Sequence, residues 1–82
     1  MTEDNFAEGL FVLSVAGRDK SRIHLIASCD DEYVYIVDGD TRKVEKPKKK
    51  KKKHVFLLDM PKYDGVMSNK AIKRKICEMM TM

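Results

Sequence analysis

Residues 10–39 read LFVLSVAGRDKSRIHLIASCDDEYVYIVDG, and this stretch decides the fold. Three short segments within it are rich in apolar and β-branched residues, at 10–15, 23–28 and 33–37. Their lengths and compositions are typical of β-strands. Gly17 lies between the first two segments, where a glycine can adopt the positive φ that a tight reversal needs. The sequence therefore predicts a hairpin with a basic tip, followed after an acidic turn by a third strand.

The chain downstream of this stretch carries weaker strand signals. Asp38 and Gly39 form a D-G turn signal, and residues 41–45 are compatible with a short returning strand. Residues 54–58 (HVFLL) regain apolar character and are long enough for a closing strand. Five short strands within the first 60 residues predict a small, strongly bent β-barrel.

Six consecutive lysines occupy residues 48–53, soon after Pro47, which we expect to end the preceding strand. A run of like charges repels itself and buries nothing, so residues 46–53 are predicted to form a solvated, lysine-rich loop. The same run dominates the charge distribution. Residues 42–54 contain nine basic and one acidic side chain, whereas residues 1–41 contain three basic and nine acidic ones. This asymmetry, within a chain of net charge +4, points to a polyanionic partner.

The last part of the chain has a helical pattern. Ser68 is a suitable N-cap, and no Gly or Pro follows before Met80. At helical spacing one side is apolar and the other is basic, so the apolar side is expected to pack on the barrel. The apolar side comprises Ile72, Ile76, Met79 and Met80. We therefore predict a barrel over residues 1–60, and a linker with a C-terminal amphipathic helix over residues 61–82.

The composition excludes several classes of protein. A chain of 82 residues has room for one small domain. Cys29 and Cys77 are too few for a disulfide-rich secreted domain, so we expect free thiols. The acidic start is unlike a secretory signal, and no apolar run is long enough to span a bilayer. The expected location is therefore the cytoplasm, with no membrane partner.

The order of elements over residues 10–39 resembles the KOW motif: an apolar strand, a glycine in a basic and acidic turn, a second strand, a variable turn and a third strand. The run Val37-Asp38-Gly39 and the NKAIKR sequence at 69–74 look like small bacterial KOW-domain proteins. Those proteins are related to a large-subunit ribosomal protein family of archaea and eukaryotes. The resemblance implies an SH3-like β-barrel and an RNA-binding protein, located in or near the ribosome and linked to translation.

The resemblance also implies that the hairpin tip contacts RNA. A glycine lets the backbone approach a phosphate closely, and Arg18 and Arg22 can form bidentate contacts with it. The lysine run would neutralise phosphates and add affinity with little sequence discrimination. The predicted RNA-binding residues are Gly17, Arg18, Lys20, Arg22, Arg42, Lys43, Lys46, Lys48, Lys49, Lys50, Lys51, Lys52, Lys53 and His54. A purely solubilising role for the tip and the run is the plainer alternative.

Tyr33 and Tyr35 lie two residues apart and should share one face of their strand, either as stacking platforms for bases or as part of the core. Ile36 takes the opposite face, and the sequence leaves open which of the two sets is buried. The other bulky core candidates are Phe11, Ile23, Leu25, Val44 and Phe56.

No pattern in the sequence indicates catalysis or a bound metal. His24, His54, Cys29 and Cys77 lack the short spacing of zinc ligands. A phosphate-cradling loop, a dinucleotide fingerprint and a nucleophile elbow are missing as well. We expect a non-enzymatic protein without a cofactor, monomeric when free, whose partners are RNA, ribosomal RNA above all, and also ribosomal proteins. The alternative is a protein-interaction adaptor whose acidic N-terminal half binds a basic ribosomal or transcription partner.

Overall fold

The computed structural model describes residues 5–15, 17 and 22–80. One antiparallel sheet of five strands and a C-terminal helix make up this part of the chain. The strands are β1 (Phe11–Ser14), β2 (Ile23–Cys29), β3 (Tyr33–Val37), β4 (Lys48–Lys51) and β5 (Val55–Leu57), and the helix is α1 (Asn69–Met80). The strand order in the open sheet is β4-β3-β2-β1-β5. The predicted mainly β fold with a C-terminal helix is confirmed.

The sheet is strongly bent, because its two edge strands are joined by a very short connection. A single 3₁₀ turn, Lys52–His54, links β4 to β5. Four Cα steps from Lys51 to Val55 span at most about 15 Å, whereas the edges of a flat five-stranded sheet lie about 19 Å apart. The pairing of β2 with β3 also shifts register between Ile26 and Ser28, and such a bulge increases the local twist. The short connection therefore keeps the end of β4 within about 15 Å of the start of β5.

Both faces of the central strands are buried, which explains their nearly continuous apolar sequences. On the first face, here called the helix face, Phe11, Leu25 and Val37 lie in register across three strands and pack with Ile72 and Ile76 of α1. The opposite face holds a second buried cluster of Val12, Ile26, Val34, Ile36 and Val55. Residues 6 and 10 of the N-terminal segment pack against this second cluster.

Four of the six lysines form a strand, so the prediction of a loop over residues 46–53 is wrong at Lys48–Lys51. Lys48–Lys51 pairs with β3 at the edge of the sheet. Lysine is common on exposed edge strands, because its charge opposes edge-to-edge association of copies. Pro47 precedes this strand instead of ending one, a position where its missing N–H costs no ladder hydrogen bond. Pairing with β3, which the sequence pattern of the run does not reveal, decides the conformation.

The predicted returning strand at residues 41–45 is also wrong, because Asp38 folds the chain into a compact turn. The backbone N–H groups of Asp40 and Arg42 each donate a hydrogen bond to Asp38 Oδ1 at 2.8 Å. The Asp38 N–H donates to the Arg42 carbonyl, also at 2.8 Å. Asp38 is buried, and its Oδ2 lies 3.7 Å from Nε2 of the buried His24. These contacts hold the turn against β2, so the chain does not run back along the sheet.

The predictions for the core are confirmed in part. Phe11, Leu25 and Ile36 are buried, whereas Ile23 and Val44 are half-buried and pack at the edge of the helix-face cluster. The prediction for Phe56 is wrong, because its side chain is 62% exposed. Successive residues of a strand point to opposite faces, and in β5 it is Val55 that enters the core. On β3, Ile36 is fully buried and the two tyrosines are half-buried, which answers the question that the sequence left open.

Helix α1 begins where it was predicted to begin. Ser68 Oγ accepts a hydrogen bond from the Ala71 N–H at 3.3 Å, the contact expected of an N-cap. Ile72 and Ile76 are buried against the sheet, and Met79 packs beside them. The prediction that Met80 joins this side is wrong, because its side chain is 61% exposed.

The start of α1 packs directly against the turn formed by Asp38. Gly39 has a φ of +78°, and a Cβ atom added to it would overlap the Asn69 carbonyl and lie 2.9 Å from the Lys73 nitrogen. Asn69 Oδ1 accepts a hydrogen bond from the Val44 N–H, and its Nδ2 donates to Glu45 Oε1, both at 2.8 Å. The turn, the segment after it and the first turn of the helix therefore form one rigid unit.

Candidate nucleic-acid interface

The four lysines of β4 point alternately to the two sides of the strand. Directly opposed residues of paired strands share a face, so Lys48 and Lys50 lie on the side of their partners Ile36 and Val34. Lys49 and Lys51 lie on the other side, opposite Tyr35 and Tyr33 respectively. The charge of the run is thus divided between two surfaces. The lysine side chains of β4 therefore do not form one row on a single surface.

The tyrosine side of β4 is occupied by contacts within the protein. Lys49 Nζ lies 4.2 Å from the centroid of the Tyr33 ring, at cation–π distance. The Tyr35 hydroxyl donates a hydrogen bond to Asp30 Oδ2 at 3.2 Å. Half-buried and engaged in this way, the tyrosines offer little free ring surface for a base.

Asp30 organises the acidic turn between β2 and β3. The backbone N–H groups of Tyr33 and Glu32 donate to Asp30 Oδ1 at 2.8 and 3.0 Å. These two hydrogen bonds, that of the Tyr33 amide foremost, hold the pKa of Asp30 below its usual value of 3.8, against a smaller opposing effect of desolvation. The Tyr35 hydroxyl and the nearby Lys49 lower the pKa of Asp30 further. Asp30 therefore stabilises the turn between β2 and β3.

The other side of β4 borders a basic hollow that follows the Asp38 turn. Its volume is about 390 Å³, and its walls are Thr41, Arg42, Lys43, Lys46, Pro47 and Lys48. Four of these six residues are basic, and no acidic side chain lines the hollow. The bonds from Asn69 to residues 44 and 45 fix the outer wall to α1. The hollow is the right kind of site for an anion, because its cations are held on a folded surface.

The hairpin tip lies beside this hollow. Arg22 Nη1 donates a hydrogen bond to Thr41 Oγ1 at 3.3 Å, which joins the end of the β1–β2 hairpin to the wall of the hollow. Gly17 has the predicted positive φ, at +77°. A Cβ atom at Gly17 would lie 3.3 Å from Lys50 Nζ, so the tip and the lysine side chain are neighbours. Arg18 and Lys20, two further predicted RNA-binding residues, lie outside the described residues.

The structure thus brings one group of predicted site residues together at one end of the sheet. This group, here called the basic end, consists of Gly17, Arg22, Arg42, Lys43, Lys46, Lys48 and Lys50. Thr41 belongs to it as well, although no sequence pattern had selected this threonine. Thr41 connects Arg22 to the Asp38 turn: its Oγ1 accepts a hydrogen bond from Arg22 and donates one, 3.3 Å long, to Asp38 Oδ2.

The remaining lysines lie at a different place, next to acidic residues. Lys51, Lys52 and Lys53 line a second hollow of about 220 Å³ together with Asp31 and Glu32. The Lys52 N–H donates to the Glu32 carbonyl at 3.0 Å, which holds the acidic turn against the 3₁₀ turn. His54 is exposed and leads into β5. The positive charge of these lysines is partly offset by the acidic residues that line the same hollow.

Within residues 5–15, 17 and 22–80, no cluster of three or more His, Cys, Asp or Glu side chains could hold a metal ion. Cys29 and Cys77 are both free thiols, as predicted. Over the same residues, no helix combines the length and the apolar character needed to cross a membrane. No protein-family model and no curated protein matches this sequence.

Proposed function

We propose that this chain is a small KOW-type RNA-binding protein with an SH3-like barrel, associated with the ribosome or with translation, and that it contacts structured ribosomal RNA through the basic end. The observation that carries the proposal is the basic hollow, to whose wall Arg22 is hydrogen-bonded through Thr41, together with Gly17 beside Lys50 on the strand that contributes Lys48 to the same hollow. These residues come from three separate parts of the sequence, and a common anionic ligand is a physical reason for them to meet.

An SH3-like barrel is supported by the curvature of the sheet. The two edge strands are consecutive in the chain and joined by one 3₁₀ turn, so the sheet must roll toward itself. The strand order, with β1 between β2 and β5, is compatible with a small barrel whose seam lies between β4 and β5. Helix α1 covers one outer face of this rolled sheet.

The proposed mechanism is binding of RNA phosphates, without a chemical reaction. Arg22 and Arg42 have planar guanidinium groups that can grip a phosphate with two parallel hydrogen bonds, whereas Lys43, Lys46 and Lys48 supply point charges. Such contacts go to the backbone of the nucleic acid and fix its position without reading the base sequence. Gly17 has no side chain, so a phosphate can approach the main chain of the tip closely.

A simpler explanation of the lysines is that they protect the sheet edge from association with other chains. This explanation applies only to the lysines of β4. It does not account for Arg42, Lys43 and Lys46, which lie before the strand and line the same hollow as Lys48. The adaptor alternative has less support, because Asp30 is used within its own turn and Glu32 lies beside the lysines of the 3₁₀ turn. We therefore retain RNA as the proposed ligand.

The test compares two double variants of identical charge. Lys48→Ser with Lys50→Ser removes two cations from the basic end, and Lys49→Ser with Lys51→Ser removes two from the tyrosine side. Binding of a structured ribosomal RNA fragment is measured over a range of salt concentrations, where each phosphate contact contributes about −0.7 to −0.9 to the slope of log K against log salt. We expect the first variant to flatten the slope by about 1.5, and the second to flatten it by less.

Both variants should fold, because these side chains are not members of the buried clusters, and the Lys49→Ser pair should melt slightly lower because it loses the cation–π contact with Tyr33. Equal changes in the slope of log K against log salt would mean that RNA binding depends on the net charge of the protein and not on the position of the lysines. Absence of measurable RNA binding by the wild type at low salt would refute the proposal as a whole.

A further inference from the structure

Phe56 is the most exposed aromatic side chain of the protein. All three phenylalanines and all three tyrosines lie within the described residues, and Phe56 alone among them is classed as exposed, at 62%. It lies on β5 directly opposite Leu13 of β1. Val15, which directly follows β1, lies two residues beyond Leu13 and is 45% exposed. Helix α1 leaves this corner of the helix face uncovered.

The backbone around Phe56 is held in place. The pairing of β1 with β5 covers Val12 to Ser14, and the ladder is extended by the Val15 N–H, which donates to the His54 carbonyl at 3.0 Å. At the other end, the Leu58 N–H donates to the Phe11 carbonyl at 2.9 Å. The ring is therefore presented on a fixed strand rather than on a loop, which reduces the entropy lost when a ligand contacts it.

The sequence next to Phe56 is cationic. Lys53 and His54, both exposed, directly precede β5, and the rest of the lysine run comes before them. An exposed aromatic ring close in sequence to a lysine run matches a nucleotide, because a base presents a flat π-face and its phosphate a negative charge. A second copy of this chain would bring the same cations together across the contact and is disfavoured by their repulsion.

We infer that Phe56 is a stacking platform for an unpaired nucleobase, with Lys53 and His54 contacting the phosphate next to that base. This inference rests on the proposed RNA-binding function and adds a contact that the basic end does not provide. It also selects single-stranded or looped RNA, because bases within a duplex are stacked on each other. Tyr33 and Tyr35 are poorer platforms, since they are half-buried and engaged by Lys49 and Asp30.

The test uses two probes of equal length and charge, an oligouridylate and the same ribose–phosphate backbone without bases. Binding is followed by fluorescence anisotropy at fixed salt for the wild type, Phe56→Leu and Phe56→Tyr. Leucine keeps an apolar side chain and removes the ring, whereas tyrosine keeps the ring. We expect Phe56→Leu to weaken oligouridylate binding about tenfold, and Phe56→Tyr to bind like the wild type. Neither substitution should affect the abasic probe.

Equal affinity of the wild type for both probes would overturn the stacking proposal while leaving phosphate binding intact. Oligouridylate affinity of Phe56→Leu equal to that of the wild type would overturn it as well. Failure of the wild type to bind either probe would overturn the stacking proposal, whereas the proposed function is decided separately by binding of the structured ribosomal RNA fragment. The exposure of Phe56 means that both variants should fold, and their melting temperatures check this directly. A dimer in sedimentation equilibrium that Phe56→Leu dissociates would assign this surface to a second copy and overturn the proposal.

Discussion

Replacing Gly39 by alanine should destabilise the protein far more than the same change at Gly17. Both glycines have positive φ, at +78° and +77°. Their surroundings differ. An added Cβ at Gly39 would meet backbone atoms of Asn69 and Lys73 at the start of α1, whereas at Gly17 it would meet only the flexible end of Lys50. Gly17→Ala is therefore a matched control for the conformational part of the effect.

The loss of stability has a conformational contribution, common to both glycines, and a packing contribution at Gly39 alone. Placing alanine at positive φ costs about 1–2 kcal/mol, reduced by about 0.4–1 kcal/mol because alanine also restricts the unfolded chain. Gly17→Ala should therefore cost about 1 kcal/mol. Gly39→Ala adds the cost of an overpacked contact, about 1–3 kcal/mol, since the helix must move away from the turn. A protein of this length has a free energy of unfolding of about 4–12 kcal/mol, so the loss at Gly39 is a large part of the total.

Urea unfolding followed by circular dichroism measures both free energies, and thermal melting gives a second comparison. Each kcal/mol corresponds to about 4–8 °C in a domain of this size, so the melting temperature of Gly39→Ala should lie about 5–20 °C below that of Gly17→Ala. Equal losses in the two variants would show that α1 does not pack on the turn of Asp38, and would refute the reasoning.

Three further predictions concern the turns and the charges. Asn69→Ala should lower the free energy of unfolding by about 1–3 kcal/mol, because it leaves the Val44 N–H without its acceptor; urea titration measures the loss. The pKa of Asp30 is lower in the folded protein than in the unfolded chain, so its stabilising contribution is complete above pH 3.8 and is lost as the pH falls through the folded pKa. Asp30→Asn should therefore lose less stability than the wild type between neutral and acidic pH, as seen by unfolding across that range. Arg22→Glu should weaken binding of a structured ribosomal RNA fragment, and Glu32→Lys should leave it equal or tighter; the opposite order in a titration at fixed salt would favour a basic protein as partner.

Much of the fold could be predicted from the sequence, because local signals and tertiary packing agree in most elements. The strands at residues 23–29 and 33–37 and the helix after Ser68 all combine a suitable composition with a clear boundary. Strand β4 could not be predicted, because its lysines carry no strand preference and the conformation depends on pairing with β3. The turn at 38–42 was signalled by Asp38 and Gly39, but its compactness depends on carboxylate hydrogen bonds that no spacing reveals.

The candidate site was less predictable than the fold. Sequence reasoning selected the basic residues that line the hollow, yet it treated the six lysines as one group. Their division between two surfaces follows from the register of β4, in which Lys48 lies opposite Ile36. Register also decides that Val55 is buried and Phe56 exposed, and a shift by one residue would exchange them. A strand of three residues contains too little pattern to show which of its faces is buried.

The position of β5 beside β1 has a consequence for how the chain reaches its native state. Strands β1, β2 and β3 are neighbours in sequence and can pair through short loops. The pairing of β1 with β5, in which Val12 lies opposite Leu57, joins residues far apart in the chain and should form later. Until then β1 presents an unpaired apolar edge, which is the kind of surface that seeds aggregation. During synthesis the lysine run emerges just before the strand that covers this edge. Charges next to an apolar strand oppose aggregation, so we expect the lysine run to protect the incomplete sheet until β5 pairs with β1.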